Sequence, residues 1–554
     1  MSSSRADEEM TPMTLLSRLF GVRPVIRHPV RVQRDIVILA ADGAPLLATR
    51  HYPADLDRPP LILLRSPYGR GNALDQLPKL LAERGYQVLY QSLRGTAGSG
   101  GRFDGFTIDP ADADGTLSWL RAQPWFGGAL ATWGASYLGL VQWELAARHI
   151  PEWKIALIQD APSAFAEHFM YPGGAFALGN ALGWVQLVDT MFSGNFSLTR
   201  QLLATLSAGR KLRRATLTLP LEQADRALTG HRVSWFQEWI SNGRDQAYWA
   251  RMDHRANTER MPPRVHLQGG WYDFFLPSML ADHARLLAAG REVRLLVGPW
   301  GHGRGLYTRE GMQDALAALD AAMNGDAAPS GVRVYVTGAK RWRDLSGWPP
   351  AHQPTSWYLH PGGRLSREEP EREANPSRYR YDPGDPTPTV GGTAVSRSAG
   401  PKDNRAIEAR ADVLTFTTAP LTEDVEVIGP VRVRLHARAS FPDVDYFARL
   451  CEVSPRGRSL NLCDGIVRLD QPGDLRAADI GAIDIELWPL AHRFVRGHRI
   501  RLQVSSGAHP RYGRNPGTGQ PLATGRELRA SEHEIFHDLE HPSALWLPLT
   551  PGAS

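Results

Sequence analysis

Cysteine is nearly absent from this sequence, which contains only Cys451 and Cys463 among its 554 residues. Two cysteines cannot form a disulfide framework, and no metal-ligand spacing surrounds either of them. A single disulfide bond between them is the alternative, but reduced thiols in a cytosol are the default expectation. The cysteine content therefore argues against a fold held together by disulfides and against a zinc motif at these positions.

Long hydrophobic runs are missing from the N-terminal stretch. The apolar residues Leu15, Leu16, Leu19 and Phe20 are interrupted by polar ones, so the run is too short for the core of a signal peptide or for a membrane span. No cleavage-site pattern accompanies it. We therefore expect a soluble, cytoplasmic protein with no membrane partner.

Dense clusters of positive charge are scarce, although the formal net charge is +5. The nearest candidate is the group Arg210, Lys211, Arg213 and Arg214, which a solvated helix face explains better than a nucleic-acid surface. We therefore expect no nucleic-acid partner. Hydrophobic residues make up 42% of the chain, which is enough apolar material for more than one core.

The first part of the chain alternates between short apolar runs and helical stretches. Residues 32–52 resemble a hairpin around the turn Asp42-Gly43. The later runs are continuously apolar, which is typical of strands buried on both faces of a parallel sheet. Together with the intervening helices they predict an α/β fold. These runs are 60–64, 87–90, 129–133, 154–158, 264–267 and 293–297.

Two changes of pattern divide the rest of the chain. Between about 160 and 262 the apolar residues follow helical spacing without clear strands, which indicates a helical insertion that would cap the C-terminal edge of the sheet. From about 330 short β-rich runs with frequent turn residues indicate an all-β domain, with a jelly roll as one candidate architecture. The predicted division is therefore 30–160 and 263–330 for the α/β core, 161–262 for the helical cap and 331–550 for the β domain.

One segment has the pattern of a catalytic nucleophile. A buried-type strand leads into Gly134-Ala135-Ser136 and then into a helix that contains Gly139. A serine on such a sharp strand-to-helix turn is exposed above the sheet, while the two glycines allow strand and helix to approach closely. The backbone N–H of Tyr137 would then lie at a helix N-terminus, where an oxyanion can be stabilised. We predict that Ser136 is the nucleophile of a hydrolase.

A nucleophilic serine needs a base and an orienting acid, which follow it along the chain in this fold. Asp273 and His302 each lie in a glycine-rich turn after a predicted strand, and are the acid and the base that we expect. Asp160 is a rival acid, because it also follows a strand after the nucleophile. Tyr68 follows an early strand, and its hydroxyl is a candidate second donor to the oxyanion, with an ordinary packing role as the alternative.

Several motifs in this order resemble the cocaine-esterase/X-prolyl dipeptidyl-peptidase-like hydrolases, also called the CocE/NonD family. The resemblance covers about residues 35–545. The matching motifs are Arg65-Ser66-Pro67-Tyr68, Leu93-Arg94-Gly95, Gln123-Pro124-Trp125, Gly134-Ala135-Ser136-Tyr137-Leu138-Gly139, Gly270-Trp271-Tyr272-Asp273, Gly298-Pro299-Trp300-Gly301-His302, Asp445-Tyr446-Phe447, Asp464-Gly465 and Arg514-Asn515-Pro516.

The resemblance implies an α/β-hydrolase core with an inserted helical cap, followed by an all-β jelly-roll domain. It implies a triad of Ser136, Asp273 and His302, with an oxyanion held by the Tyr68 hydroxyl and the Tyr137 N–H. Phe275 matches an aromatic residue that lines the acyl pocket in the family, and Trp271 is a further candidate for substrate binding.

The function that these observations favour is cleavage of carboxylic esters through an acyl-enzyme, with a small-molecule substrate and neither metal nor cofactor. The alternatives are an acylase acting on α-amino acid esters or β-lactams, an amide hydrolase of the X-Pro dipeptidyl-peptidase type, and, more remotely, a catalytically dead binding scaffold. Binding a free amine requires carboxylates, and we can assign no acidic cluster in 161–262 to amine binding. Assembly into a homo-oligomer stays open.

Overall fold

The structure is a computed structural model that describes residues 7–8, 28–71, 76–192, 209–327, 329–394, 399–470 and 479–550. The apolar run at Leu15 and Leu16 lies outside these residues. Within them, no helix combines the length and the apolar character needed to cross a bilayer.

The first sheet has eleven strands and contains every apolar run predicted for the core. The pairs from β4 and β5 through to β10 are parallel, whereas β1, β2 and β3 join one edge and β11 the other in antiparallel fashion. Its spatial order is β1-β2-β3-β5-β4-β6-β7-β8-β9-β10-β11. The strands are β1 (Asp7–Glu8), β2 (Val30–Leu39), β3 (Pro45–Pro53), β4 (Leu61–Ser66), β5 (Gln87–Ser92), β6 (Leu130–Ala135), β7 (Trp153–Gln159), β8 (Arg264–Tyr272), β9 (Glu292–Gly301), β10 (Gly331–Val336) and β11 (Arg341–Leu345).

Helices pack on both faces of this sheet and also form the segment between β7 and β8. The described helices are α1 (Gln76–Glu83), α2 (Pro110–Arg121), α3 (Tyr137–Leu145), α4 (Leu178–Phe192), α5 (Ala224–Thr229), α6 (Ser234–Asn242), α7 (Gln246–Trp249), α8 (Leu276–Ala288), α9 (Arg309–Asn324) and α10 (Arg405–Glu408), with a further helical stretch at 209–217. Short 3-10 or π turns lie at Ala166–Met170, Pro172–Gly174, Leu221–Gln223, Ala250–Met252, Arg255–Arg260, Gly305–Tyr307 and Pro361–Gly363.

Alternation along the central strands explains how the sheet buries two faces. In β4, Leu61 and Leu63 belong to the apolar cluster that also contains residues of α2, α3 and α8, whereas Ile62 and Leu64 belong to the cluster with α1 and α9. Every residue of β4 is buried, as expected for a strand covered by helices on both sides. The predicted α/β core is therefore confirmed, as is the hairpin formed by β2 and β3.

The C-terminal part forms a second, all-β unit, as predicted. Its sheet order is β14-β21-β16-β22-β12-β13-β15-β20-β17-β18, with β19 paired to β16. The strands are β12 (Gln353–His360), β13 (Arg364–Ser366), β14 (Ser377–Tyr381), β15 (Leu414–Thr417), β16 (Val425–Ala439), β17 (Val444–Val453), β18 (Ser459–Leu469), β19 (Gly481–Phe494), β20 (Arg499–Ser505), β21 (Ser531–Phe536) and β22 (Ala544–Leu549).

Two details differ from the sequence expectation. The first sheet continues past residue 330, because β10 pairs in parallel with β9 and β11 adds to β10. The boundary between the two sheets therefore falls between Leu345 and Gln353. The sequence did not reveal this boundary, because a short β-rich run does not indicate which strand it pairs with. Two of the short β-rich runs expected after residue 330, at 425–427 and 431–436, form one strand, β16. Its register shifts at Gly429–Val431, where Pro430 lacks an N–H. The boundaries at 160/161 and 262/263 stay predictions.

The helical insertion is held against the β domain as well as against the core. Gly173 has a φ of +55°, and a Cβ added to it would lie 1.7 Å from the carbonyl oxygen of Ile466 in β18. Arg244 forms an ion pair with Asp470, just beyond β18. The segment that leads from β7 into α4 is therefore fixed by direct contact with the second sheet.

We expect Gly173→Ala to destabilise the protein by about 1–3 kcal/mol, because alanine is strained at this φ and its methyl group overlaps the Ile466 backbone. Gly183→Ala is the matched control: Gly183 lies in α4 with no atom within 4 Å of an added Cβ, so alanine there stabilises the helix by up to about 1 kcal/mol. Scanning calorimetry measures both. Equal unfolding midpoints for Gly173→Ala and the native protein would contradict the contact.

Candidate active site

Ser136 occupies the sharp turn that the sequence predicts between β6 and α3. Its φ of 57° and ψ of −124° lie in a region that non-glycine residues rarely adopt. Its N–H donates to the Gln159 carbonyl at 2.8 Å, which ties the turn to β7. A Cβ at Gly134 would lie 2.3 Å from the Leu138 Cβ, and one at Gly139 would lie 2.4 Å from the Ala161 Cβ. The close approach that holds this strained serine therefore requires both glycines.

Asp273 and His302 meet Ser136 at the C-terminal edge of the sheet. Asp273 directly follows β8 and His302 directly follows β9, so neighbouring parallel strands deliver both side chains to the same edge. The Oδ2 atom of Asp273 lies 2.6 Å from Nδ1 of His302, and Nε2 of His302 lies 2.9 Å from Oγ of Ser136. The three side chains therefore form one connected hydrogen-bonded chain.

The acid of this chain is fully buried and held by the backbone. Asp273 is 0% exposed, and its Oδ1 accepts a hydrogen bond from the Phe275 N–H at 2.6 Å. Its own N–H donates to the Gly270 carbonyl at 2.9 Å. Both carboxylate oxygens are thus engaged, one with the backbone and one with the imidazole, which fixes the plane of the His302 ring.

Asp160, the rival acid, lies beside the chain rather than within it. Its Oδ2 accepts from the Gly303 N–H at 2.8 Å, whereas the imidazole of His302 is bound by Asp273. Burial, followed by the negative charge of Asp273, raises the pKa of Asp160 well above its ordinary value. The neutral form of Asp160 is therefore more favoured than that of an ordinary aspartate.

Tyr68 and Tyr137 lie next to Ser136, the first through its side chain and the second as the following residue. Burial raises the pKa of Tyr68, while hydrogen bonds with Trp184 and Ser136 oppose that rise, so its hydroxyl stays protonated and available as a donor. The Nε1–H of Trp184 donates to the Tyr68 hydroxyl oxygen at 3.5 Å. Tyr137 begins α3, so its N–H belongs to the first helical turn, whose N–H groups have no partner within the helix. Its hydroxyl donates to the Gly105 carbonyl at 2.7 Å.

Aromatic rings surround His302 on the side of the helical insertion. The ring of Phe274 stacks on the imidazole at 4.3 Å between centroids, and the ring of Phe275 lies 5.4 Å from it. Phe165 and Phe169, from the insertion, pack against Phe275 at 5.4 and 4.7 Å. These contacts place the ring of Phe275 beside the imidazole, and its role in an acyl pocket stays a prediction.

Other site residues differ from the sequence expectation. The side chain of Trp271 contacts residues outside the group around Ser136. Its indole N–H donates to the Tyr335 carbonyl at 2.7 Å, and its ring centroid lies 5.8 Å from that of Trp348. Successive residues of a strand face opposite sides, which a local motif does not reveal. The sequence does not predict Phe274 or Trp184 as site residues, although Phe274 lies between the predicted residues Asp273 and Phe275.

Asp160, Asp273 and His302 are also the one group of His, Cys, Asp or Glu side chains in the described ranges that matches a possible metal site. Their ligating atoms lie within 4.8 Å of one another. A metal would have to displace the hydrogen bond of His302 with either Asp273 or Ser136. We therefore interpret the group as a proton relay, and the expectation of a metal-free site stays a prediction.

The fold and the strained serine joined to an imidazole define the chain as a serine hydrolase of the α/β type. It belongs to the X-Pro dipeptidyl-peptidase (S15) family, the CocE/NonD hydrolases. Residues 42–304 match the model of that family, and residues 324–545 match the model described as the X-Pro dipeptidyl-peptidase C-terminal non-catalytic domain.

Individual relatives agree with this assignment. The chain is 32% identical to the cocaine esterase of Rhodococcus sp. (strain MB1 Bresler), with 94% of this chain and 98% of that protein covered. An aminopeptidase from a marine sediment Thaumarchaeota archaeon has a TM-score of 0.78 at 22% identity, covering 99% of both chains. An α-amino acid ester hydrolase has a TM-score of 0.76 at 22% identity, covering 96% of this chain and 98% of that one. The last two show a shared fold.

Proposed function

We propose that this chain hydrolyses small carboxylic esters through an acyl-enzyme formed on Ser136. The observation that carries the proposal is the continuous chain from Asp273 through His302 to Ser136, with separations of 2.6 and 2.9 Å. These are hydrogen-bonding distances for a nucleophile, its general base and the acid that orients the base. The 32% identity to a cocaine esterase supports an ester substrate.

In the proposed first step, Nε2 of His302 takes the proton of the Ser136 hydroxyl while Oγ attacks the acyl carbonyl carbon. The Tyr68 hydroxyl and the Tyr137 N–H donate to the resulting oxyanion. His302 then gives its proton to the alcohol oxygen, and the C–O bond of the ester breaks. In the second step His302 deprotonates a water molecule that attacks the acyl carbon. The imidazolium then returns this proton to Oγ of Ser136 as the acyl–Oγ bond breaks and the acid is released. Asp273 stabilises the imidazolium that forms in each step.

The surroundings of the serine favour an apolar acyl group over a free amine. The rings nearest His302 are those of Phe274 and Phe275. Of the buried carboxyls nearby, Asp273 is hydrogen-bonded through both oxygens, and Asp160 is bound through Oδ2 to the Gly303 N–H. Glu167, at the start of the helical insertion, is 70% exposed and faces Arg255. Among the described residues near the site, no free carboxylate is therefore placed to bind an ammonium group.

We further propose a cytoplasmic location and a substrate that is neither nucleic acid nor lipid surface. Cys451 and Cys463 are both buried and unpaired, although they lie on the adjacent strands β17 and β18. Thiols that stay reduced in this position are typical of a reducing compartment. Burial raises the pKa of Cys451 to about 12, so this thiol is unreactive.

We expect Ser136→Ala to keep the fold and to lose esterase activity, since the nucleophile is gone. Turnover of p-nitrophenyl acetate measures the loss, with circular dichroism as the control for folding. A fluorophosphonate probe should label the native protein and not the variant, because labelling requires an activated serine. A native protein that is folded yet unlabelled would support the dead-scaffold alternative.

We expect Tyr68→Phe to lower kcat by about 10²–10³-fold with little change in KM, because one oxyanion donor is lost while the ring is retained. Tyr171→Phe is a matched control: Tyr171 is also buried in the aromatic surroundings, but its hydroxyl donates to the Trp239 carbonyl. An equal effect of both substitutions on kcat would contradict a specific role for Tyr68.

We expect a substrate panel to rank simple acyl esters, especially aromatic ones, above α-amino acid esters and X-Pro anilides. The reason is the apolar lining and the absence of a free carboxylate near the serine in the described part of the site. Comparing kcat/KM across the three classes at one pH decides the order. A preference for substrates with a free amine would favour the amide-hydrolase alternative.

A further inference from the structure

Asp160 is a buried acidic residue that the proposed two-step reaction does not use. It follows β7 directly, its φ is +47°, and its N–H donates to the Gln268 carbonyl of β8 at 2.8 Å. Its side chain is 1% exposed. A non-glycine residue in this left-handed conformation is held there by its surroundings. Here the turn carries the carboxyl towards the residues that follow β8 and β9.

The contacts of this carboxyl lead to His302. Its Oδ2 accepts a hydrogen bond from the N–H of Gly303, which immediately follows the imidazole-bearing residue. Its Oδ1 is buried without a hydrogen-bond partner among the described residues. One oxygen of Asp160, one of Asp273 and one ring nitrogen of His302 lie within 4.8 Å of one another. A buried oxygen without a partner, this close to a proton relay, calls for a physical explanation.

Ionisation of one of two carboxyls this close disfavours ionisation of the other. Asp273 accepts hydrogen bonds from the Phe275 N–H and from the imidazole of His302, one at each carboxyl oxygen. Asp160 has one such bond, and its pKa is raised by burial first and by Asp273 second. The titratable groups that face Asp160 are Asp273, after β8, and His302, after β9. The raised pKa favours the neutral form of Asp160, which lies beside Asp273 and a single imidazole.

We propose that Asp160 is a positioning residue and a reserve acid of this relay: it fixes the turn that carries His302, and it orients the imidazole when Asp273 is replaced by asparagine. The proposal rests on the proposed hydrolytic function of the same site. It assigns Asp160 a role that is distinct from that of Asp273, which binds the ring directly in the native protein.

The charge argument gives the direction of the effect. Asp273→Asn removes the second cause of the raised pKa of Asp160, so that pKa falls, although burial still holds it above its ordinary value. Asp160 then ionises as the pH rises through this lowered pKa and supplies the missing negative charge near His302. The activity of Asp273→Asn should therefore rise at alkaline pH. A site without a second acid would show no such rise.

The experiment is a double-mutant cycle on kcat/KM with Asp273→Asn, Asp160→Asn and the double variant, each measured from pH 6 to 9. Asparagine at 160 keeps an acceptor for the Gly303 N–H and matches the neutral carboxyl in shape. We expect Asp160→Asn to cost less than about tenfold in the native background and at least about tenfold more in the Asp273→Asn background. We also expect the alkaline recovery of Asp273→Asn to disappear in the double variant.

Asp282→Asn is the matched control. Asp282 is 1% exposed and burial raises its pKa as well, but it binds Ser163 and Arg285 rather than the relay. Its substitution should cost the same factor in both backgrounds. The same additive result for Asp160→Asn would overturn the reserve-acid role. Loss of native activity on dialysis against EDTA would also overturn it, in favour of a metal held by the three side chains.

A second measurement keeps the test independent of how well Asp160→Asn folds. Replacing the triad acid of a serine protease by asparagine costs about 10⁴-fold; here we expect Asp273→Asn alone to cost only about 10²–10³-fold. A loss of about 10⁴-fold without recovery at high pH would overturn the proposal. Fluorophosphonate labelling of the native protein distinguishes failure of the proposed function from failure of the role of Asp160. If the native protein is not labelled, the hydrolase function is contradicted. If it is labelled but the double-mutant cycle is additive, only the role of Asp160 is contradicted.

Discussion

The hydrogen bond between His302 and Ser136 joins residues 166 positions apart in the chain, and the rest of the site is organised around it. Its length of 2.9 Å depends on the parallel register of β6, β7, β8 and β9, because each reacting side chain stands just beyond the end of one of these strands. A sheet with fixed register converts three distant sequence positions into one edge. The sheet therefore holds the loops that carry these side chains in fixed positions relative to one another.

The two aspartates at this edge have different surroundings although their chemistry is the same. Asp273 accepts hydrogen bonds at both oxygens, whereas Asp160 accepts one, and its pKa is raised by burial and then by the charge of Asp273. Burial also keeps the Tyr68 hydroxyl protonated. Apolar rings such as Phe274 reduce the access of water to these groups and so strengthen their mutual interactions.

The sequence predicted most of the α/β core because the relevant signals are local. Continuous apolar runs marked the central strands, and the glycines around Ser136 indicated a turn that only a close strand–helix approach requires. The sequence did not reveal that β10 extends the first sheet or that Gly429 and Pro430 lie within one strand, since both facts depend on partners far along the chain. Pocket residues were equally hard to predict: Trp271 faces away and Phe274 faces the imidazole, and only the pleat of the strand and the turn after it distinguish them.

The contact between Gly173 and Ile466 has a consequence for the part of the chain that matches a non-catalytic domain model. The aromatic residues Phe165 and Phe169, a few positions before Gly173, pack against Phe275, whose ring lies 5.4 Å from the imidazole of His302. The backbone of β18 therefore limits how far the segment that carries these two rings can shift. A substitution that displaces this strand would alter the aromatic surroundings of the imidazole while leaving Ser136, Asp273 and His302 unchanged.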